Sequence, residues 1–413
     1  MNRAAAFFTV LVAGFGSTSP TISGEVSEPD PARPVILTHY MTWFETKPTS
    51  KVWGWHWTMG HFDPERIDST GKREIASHLY PLIGPYDSAD PDVLEYHTLL
   101  MRIAGIDGVI VDWYGTRDFN DYAMIHRRTV SLFDSLKRVG MKFAVCYEDR
   151  ALKALVEHGK LSPGQALDQG KSDLRFCAEK WFGDPAYARW DGRPLLLVFG
   201  PEYLKQDQWV SILLGLQPSP AFLTLNERRE PAIGSFAWPP MWASKDGVLT
   251  TKALDEYLDR FYKQDGPKIA GAFPGFHDIY KEAGAQPTYG FLDPRNGETL
   301  DHTLVRAKES GSPFIQTITW NDFGEGTCIE PTREHGYTYL EKIQAIRLRS
   351  GDRGFPYTAA DLRLPFRVYE LRKHSGLSAE ARGAIDGIVS DLFTGEVGTA
   401  SKRLEYLMKR GGN

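Results

Sequence analysis

Cysteine is scarce. The 413 residues hold three, Cys146, Cys177 and Cys328, too few and too scattered for a disulfide framework or a zinc ribbon. One disulfide among them stays open for an exported chain. Otherwise they read as small buried residues, since Cys146 and Cys328 fall in or beside strand-like runs. An excess of one charge is also missing. Lys and Arg number 48 against 53 Asp and Glu, a net charge of −5, which argues against a nucleic-acid partner. Beyond the N-terminal residues no apolar run is long enough to span a bilayer. There is no glycine-rich dinucleotide or P-loop fingerprint. His56 and His61 have neither an H-E-x-x-H pattern nor a carboxylate cluster beside them, so neither metal nor cofactor is expected. No internal repeat appears beyond an alternation of strands and helices.

Aromatic residues are plentiful, 12% of the chain with eleven Trp and eighteen Tyr. That suits a protein that stacks flat faces on a ligand, although Trp is also an ordinary core residue. Residues 1–24 read as a secretory signal. Arg3 supplies a basic start, Ala4 to Gly16 an apolar run too short for a comfortable span, and Ser17 to Ser19 small residues after it. Residues 25–33 form a linker rich in Ser, Pro and Glu. The expected location is therefore secreted or periplasmic.

Eight apolar runs follow: Val35 to Tyr40, Gly108 to Trp113, Lys142 to Tyr147, Leu195 to Gly200, Ala221 to Leu225, Gly234 to Trp238, Ile269 to Phe273 and Phe314 to Trp320. They are continuous rather than alternating, as in strands covered on both faces. Helical patterns separate them. Asp90 and Pro91 mark a helix start and Gly105 its stop; Tyr122 to Gly140 and Lys252 to Gln264 are amphipathic. The expected fold class is α/β, a (β/α)8 TIM barrel over residues 34–350 with a small helical extension over 351–413. The competing architecture is an open doubly wound sheet, which lacks a nucleotide fingerprint to support it.

Chemistry in such barrels sits at the C-terminal ends of the strands. The residues there are Tyr40, Trp43, Asp112, Trp113, Tyr114, Tyr147, Glu148, Asp149, Asn226, Glu227, Trp238, His277, Asp278, Asn321, Asp322 and Glu325. The connection from Met41 to Tyr86 is long and lacks one clear helix, and loops of that length are usually functional. It carries Trp43, Trp53, Trp55 and Trp57 with His56 among them. Indole faces there suit the apolar faces of sugar rings. After the eighth strand, Pro313 to Pro331 reads PFIQTITWNDFGEGTCIEP, with Asp322 and Glu325 three residues apart. Glycoside hydrolysis calls for two acids about one bond, one protonated and one ionised. Neighbouring carboxylates push their pKa values apart in the way that division requires.

The chain resembles the glycoside hydrolase family 71/99-like group of (β/α)8 barrels from about Val35 to Pro331. The segments that carry the likeness are WGWHW (Trp53 to Trp57), IGPYDSADPDVLEYH (Ile83 to His97), MRIAGIDGVIVDWYG (Met101 to Gly115), CYE (Cys146 to Glu148), GRPLLLVF (Gly192 to Phe199), PGFHD (Pro274 to Asp278) and the run from Trp320 to Pro331. Family 99, of endo-acting α-mannosidases and α-mannanases, has W/F-N-E-W-H-E-G-T-x-I-E-P in that last position. This chain departs from it at Asp322 and at Phe323-Gly324. The N-D-[YF]-G-E pattern is closer to family 71, the endo-α-1,3-glucanases.

The resemblance implies a glycosidase acting on an α-linked polysaccharide or glycan, endo-acting and retaining. Glu325 is the candidate general acid/base. Asp322 is the second carboxylate, acting as base on the sugar 2-hydroxyl, as nucleophile or as base for water. Candidate substrate contacts are Trp57, Trp113 and Trp238 as stacking surfaces. Tyr40, His56, Tyr147, Glu148, His277, Asp278 and Asn321 are candidate hydrogen-bonding groups, with Asp112 beside them. The expected partner is an oligosaccharide or polysaccharide. Two other readings stay open: a non-catalytic carbohydrate-binding protein on a hydrolase scaffold, and a glycosyltransferase-associated relative from polysaccharide biosynthesis.

Overall fold

The computed structural model describes residues 33–349 and 354–411. The expected signal and linker, apart from Arg33, lie outside the described residues.

Eight parallel strands form a closed barrel: β1 (Val35–Tyr40), β2 (Gly108–Trp113), β3 (Lys142–Tyr147), β4 (Arg193–Val198), β5 (Ala221–Leu225), β6 (Gly234–Phe236), β7 (Lys268–Ala272) and β8 (Phe314–Thr317). Each pairs in parallel with the next, and β8 returns to β1 with Val35 opposite Phe314. Closure leaves no edge, and the helices cover the outer faces. The strands are therefore buried almost throughout, which is why they read as unbroken apolar runs. The open-sheet alternative is thereby excluded. β8 leaves the ladder earlier than its apolar run suggests, at Thr317 rather than Trp320.

The helices are α1 (Pro91–Ala104), α2 (Tyr122–Arg138), α3 (Arg150–Glu157), α4 (Pro163–Lys180), α5 (Gln206–Leu214), α6 (Thr251–Tyr262), α7 (Glu298–Glu309) and α8 (Thr338–Arg349). α1 starts where its sequence says: the Asp90 carboxylate accepts the Asp92 N–H, and Gly105 ends it at φ 83°. Among the described residues one connection lacks a helix. Residues 226–233 run from β5 to β6 without one.

The Met41–Tyr86 connection contains only the helical turns Lys47–Ser50 and Trp55–Thr58. It is pinned from α2 by Arg128, which donates to Phe44 O at 2.7 Å, Ser50 Oγ at 2.6 Å and Asp87 Oδ1 at 2.8 Å. After α8 come α9 (Leu364–Lys373), α10 (Ala379–Thr394) and α11 (Val397–Gly411). They are the expected helical extension, and they dock on α1 through a bidentate pair from Arg372 to Glu95, both bonds 2.9 Å. All three cysteines are buried and free, so the disulfide left open by the sequence does not form. Among the described residues no helix is long and apolar enough to cross a membrane.

Candidate active site

The turn after β8 is built to present two acids. Asp322 N–H donates to Thr319 Oγ1 at 2.7 Å, and Thr319 Oγ1 meets Thr327 Oγ1 at 3.1 Å across the base of the turn. The Glu325 N–H donates to Asp322 Oδ1 at 2.9 Å, so the first carboxylate helps fix the backbone of the second. The turn also leans on the β7–β8 loop. His277 N–H donates to Glu325 O at 2.9 Å and Ile279 N–H to Gly324 O at 3.0 Å. Gly326 is required twice over: its φ is 65°, and a Cβ there would lie 2.5 Å from His277 O. Gly324 makes room instead, since a Cβ would meet the Met59 methyl at 2.9 Å. The Phe323 ring is buried against Phe44, Trp57 and Tyr86 and anchors the turn to the long loop.

Asp322 is buried and faces the ends of β2 and β3. Asp112 and Glu148 are buried there too, close enough for their charges to act on one another and on Asp322. Burial pushes Asp322 up to about 6, against the N–H bonds from Glu325 and Gly324 that lower it. Glu325 is pushed well above the usual carboxylate range by burial first and by the Asp322 charge second. Glu148 rises to about 7, again through burial, with the Arg150 guanidinium 3.8 Å away opposing it. Asp112 is raised by burial and then by Glu148. Glu325 Oε2 and Asp112 Oδ1 are buried with no hydrogen-bond partner among the described residues. Both atoms are therefore free to bond a group that enters the mouth.

The strand pleat decides which predicted residues reach this cluster. Successive side chains point to opposite faces, so Asp112 and Glu148 enter the barrel while their neighbours leave it. Trp113 is enclosed between His126, Phe176 and Trp181 and offers no stacking face. Tyr147 turns outward to donate to Asp173 Oδ2 at 2.9 Å. Tyr40 meets His97 Nδ1 on α1 at 2.8 Å. None of the three faces the carboxylates, which corrects their expected roles. Trp57 is fully enclosed and donates to Tyr86 O at 2.8 Å, so it too is scaffold. Of the four loop Trp, only Trp55 is largely open, at 51% exposure.

Other predicted contacts are engaged with their neighbours. Asp278 Oδ1 accepts from Tyr280 N–H, and its Oδ2 accepts from Thr288 Oγ1 and Tyr289 N–H. Asn321 clamps Met41 through both its amide oxygen and nitrogen. His56 is 3.1 Å from Asp121 and stacks on Trp43 at 4.2 Å. Trp238 is buried edge-on to His39 and Phe199. His277 is exposed and stacks on His78 at 3.8 Å.

Four residues at the cluster had been given no role: Tyr114, which hydrogen-bonds Asp112, Arg150, and Tyr280 and Tyr289. The charges of Glu325 and Asp322 reach Tyr280, and Arg150 senses Tyr289. Tyr114 and Arg150 each lie two residues beyond an inward acid, and the pleat period was the signal for them. Among the described residues no set of three His, Cys, Asp or Glu has metal-ligating geometry. A cleft of about 1060 Å³ lies among the tail helices, lined by Leu371, Leu377 and Ile388, far from these acids. Its size does not outweigh the chemistry at the barrel mouth.

Residues 34–219 match the glycosyl hydrolase family 99 model. A glycoprotein endo-alpha-1,2-mannosidase-like protein of Danio rerio is 32% identical over 344 residues, covering 74% of this chain and 73% of that protein. The chain belongs to glycosyl hydrolase family 99. As a family 99 member it is a glycosidase on a (β/α)8 barrel. The glycoprotein endo-alpha-1,2-mannosidase of Mus musculus is 25% identical over 374 residues, 81% of this chain and 77% of the mouse protein. The GH99 endo-alpha-mannosidase structure from Bacteroides thetaiotaomicron shares the fold, with a TM-score of 0.57 at 18% identity over 76% of this chain and 96% of that one. The family 99 model match ends before β8, so the Asp322–Glu325 pair rests on its own geometry and motif.

Proposed function

We propose that this family 99 glycosidase hydrolyses α-linked mannan-type glycans within the chain, with retention, using Asp322 and Glu325. The observation that carries this is the buried pair on one turn: Asp322 is raised to about 6 by burial, and Glu325 is raised well above the carboxylate range by burial first and the Asp322 charge second. Asp322 serves as the ionised partner, and Glu325, the more strongly raised of the two, serves as the proton donor. Asp322 takes the proton of the sugar 2-hydroxyl, and that oxygen attacks the anomeric carbon as Glu325 protonates the departing glycosidic oxygen. Water then opens the strained 1,2-anhydro ring. Glu325 takes the water proton and Asp322 returns its own to the 2-oxygen, so both acids end as they began. Asp112 and Glu148 line the same mouth and accept hydrogen bonds from sugar hydroxyls. Their raised pKa values reduce the charge a neutral substrate must displace.

The names of the mannosidase relatives favour α-mannan as substrate. Residues 1–24 would direct export, which suits an enzyme acting on an extracellular or periplasmic glycan. Product release from α-mannans, α-1,3-glucans and other α-glycans, compared for wild type and Glu325→Gln, tests the reading. Release from α-mannan should fall on the order of 10²- to 10⁴-fold in the variant. Equal release by both proteins would remove Glu325 from its role. Tight binding without release by wild type would favour a carbohydrate-binding protein instead.

A further inference from the structure

We infer that the barrel wall between β5 and α6 is a second, non-catalytic binding site for a neutral hexose chain. A groove of about 820 Å³ opens where the β5–β6 connection lacks a helix. Residues 226–229 form one wall, and α6 with the two residues Gln264 and Asp265 after it forms the other. They are laced together by Gln264, which donates to Asn226 O at 2.8 Å and accepts from Arg228 N–H at 3.3 Å. The groove is therefore pre-formed rather than a gap between mobile parts. At its mouth stands Trp242, 65% exposed, its ring held edge-on by Tyr257 at 5.7 Å. Tyr257 is itself fixed by a 2.6 Å bond to Asn226 Oδ1. A rigid indole with an open face is costly to leave in water, and it matches the apolar face of a pyranose.

The lining charges choose among ligands. Arg228, Arg229 and Arg260 share the lining with Glu202, Glu227 and Asp265, three cations with three anions, Arg229 paired with Glu227 at 3.0 Å and Arg228 with the neighbouring Glu230. A balanced set of planar donors and acceptors suits hydroxyl groups. It favours neither a polyanion nor a polycation, because each would meet three like charges. Glu202 in this lining lies near enough to the barrel mouth for its charge to act on Glu148. The occupant is thus a distant stretch of the same neutral polysaccharide that enters the barrel.

This rests on the proposed glycan substrate, and the experiment separates the two. Affinity for long α-mannan and for a short α-manno-oligosaccharide is measured by calorimetry on Glu325→Gln, alone and combined with Trp242→Ala, Trp242→Phe or Arg260→Ser. Trp242→Ala should weaken long-chain binding about tenfold, as loss of one aromatic contact implies. Short-ligand binding should not change, and Trp242→Phe should restore most of the loss. Arg260→Ser should also weaken only the long chain. Unchanged long-chain affinity in Trp242→Ala, equal weakening of both ligands, or no binding of α-mannan at all would overturn the inference. Hydrolysis by wild type is scored separately. Turnover with no Trp242 effect rejects the groove alone, whereas a Trp242 effect without turnover rejects the catalytic reading alone.

Discussion

At the scale of one residue, Asp322 carries a folding cost. Its carboxyl sits at about 6 where 3.8 is ordinary, so the folded state binds its proton more tightly than the unfolded chain does. Below the ordinary value both states are protonated and nothing is lost. As pH rises through the interval up to about 6, ionisation favours unfolding, and above it the penalty reaches roughly 3 kcal/mol. Asp322→Asn keeps an acceptor for the Glu325 N–H and removes the charge. It should gain roughly 1–3 kcal/mol in urea denaturation near pH 8 and almost nothing near pH 4, while losing turnover. Equal gains at both pH values would show that charge burial is not the cause. On the proposed mechanism the same pair sets the rate profile. The acid limb of kcat/KM should fall at about pH 6 as Asp322 is protonated. The alkaline limb should follow Glu325, and in Glu325→Gln it should vanish from the residual rate.

The β8 turn is the element on which the site depends, and two substitutions test it. Gly326→Ala would place a methyl 2.5 Å from His277 O at a φ of 65°. The conformation alone costs about 1–2 kcal/mol, and the turn must shift to relieve the contact. Activity should drop at least about tenfold in a protein whose far-ultraviolet circular dichroism is unchanged. Behind the turn, Glu330 is fully buried. It accepts from Tyr86 OH at 2.7 Å and lies 3.3 Å from His97. Tyr86 in turn accepts from Asn321 at 3.0 Å. Glu330→Gln should lower kcat about tenfold with little change in KM, because the network positions the turn without touching substrate. A rise in KM alone would contradict that. At this scale the sequence was easy to read for existence and hard to read for direction. The runs that became β1, β2, β3 and β5 matched the ladder residue for residue. Yet Trp57, Trp113, Tyr147 and Tyr40 turned away from the mouth. Adjacent residues at a strand end differ in facing, and composition carries no sign of which parity points inward.

At the scale of the molecule the barrel is tied at the end opposite its mouth. The buried Arg347 of α8 donates to Gly105 O and Pro34 O at 2.6 Å and pairs with Asp107. Asp107 accepts the Ile36 N–H at 2.8 Å. One side chain thus joins α8 to the starts of β1 and β2. Arg347→Met should cost about 3–5 kcal/mol in chemical denaturation, since it strands two buried carbonyls and a partly buried carboxylate. Catalysis by the folded fraction should be unaltered, because Arg347 sits far from the acids. A loss of only a few tenths of a kcal/mol would show that water replaces the guanidinium freely.

By itself the sequence determined the fold class, the strand order and the Asp322–Glu325 pair. These depend on local matters: apolar run length, capping residues, and two acids three positions apart on a glycine turn. The tertiary structure alone decided which acids converge. Asp112, Glu148 and Asp322 are far apart along the chain, and they meet only because β8 closes on β1. It also decided which aromatics are scaffold and which, like Trp55 and Trp242, keep an open face. Exposure is a property of what packs on top of a ring, and that packing comes from neighbouring strands, helices and loops that only the folded barrel brings together.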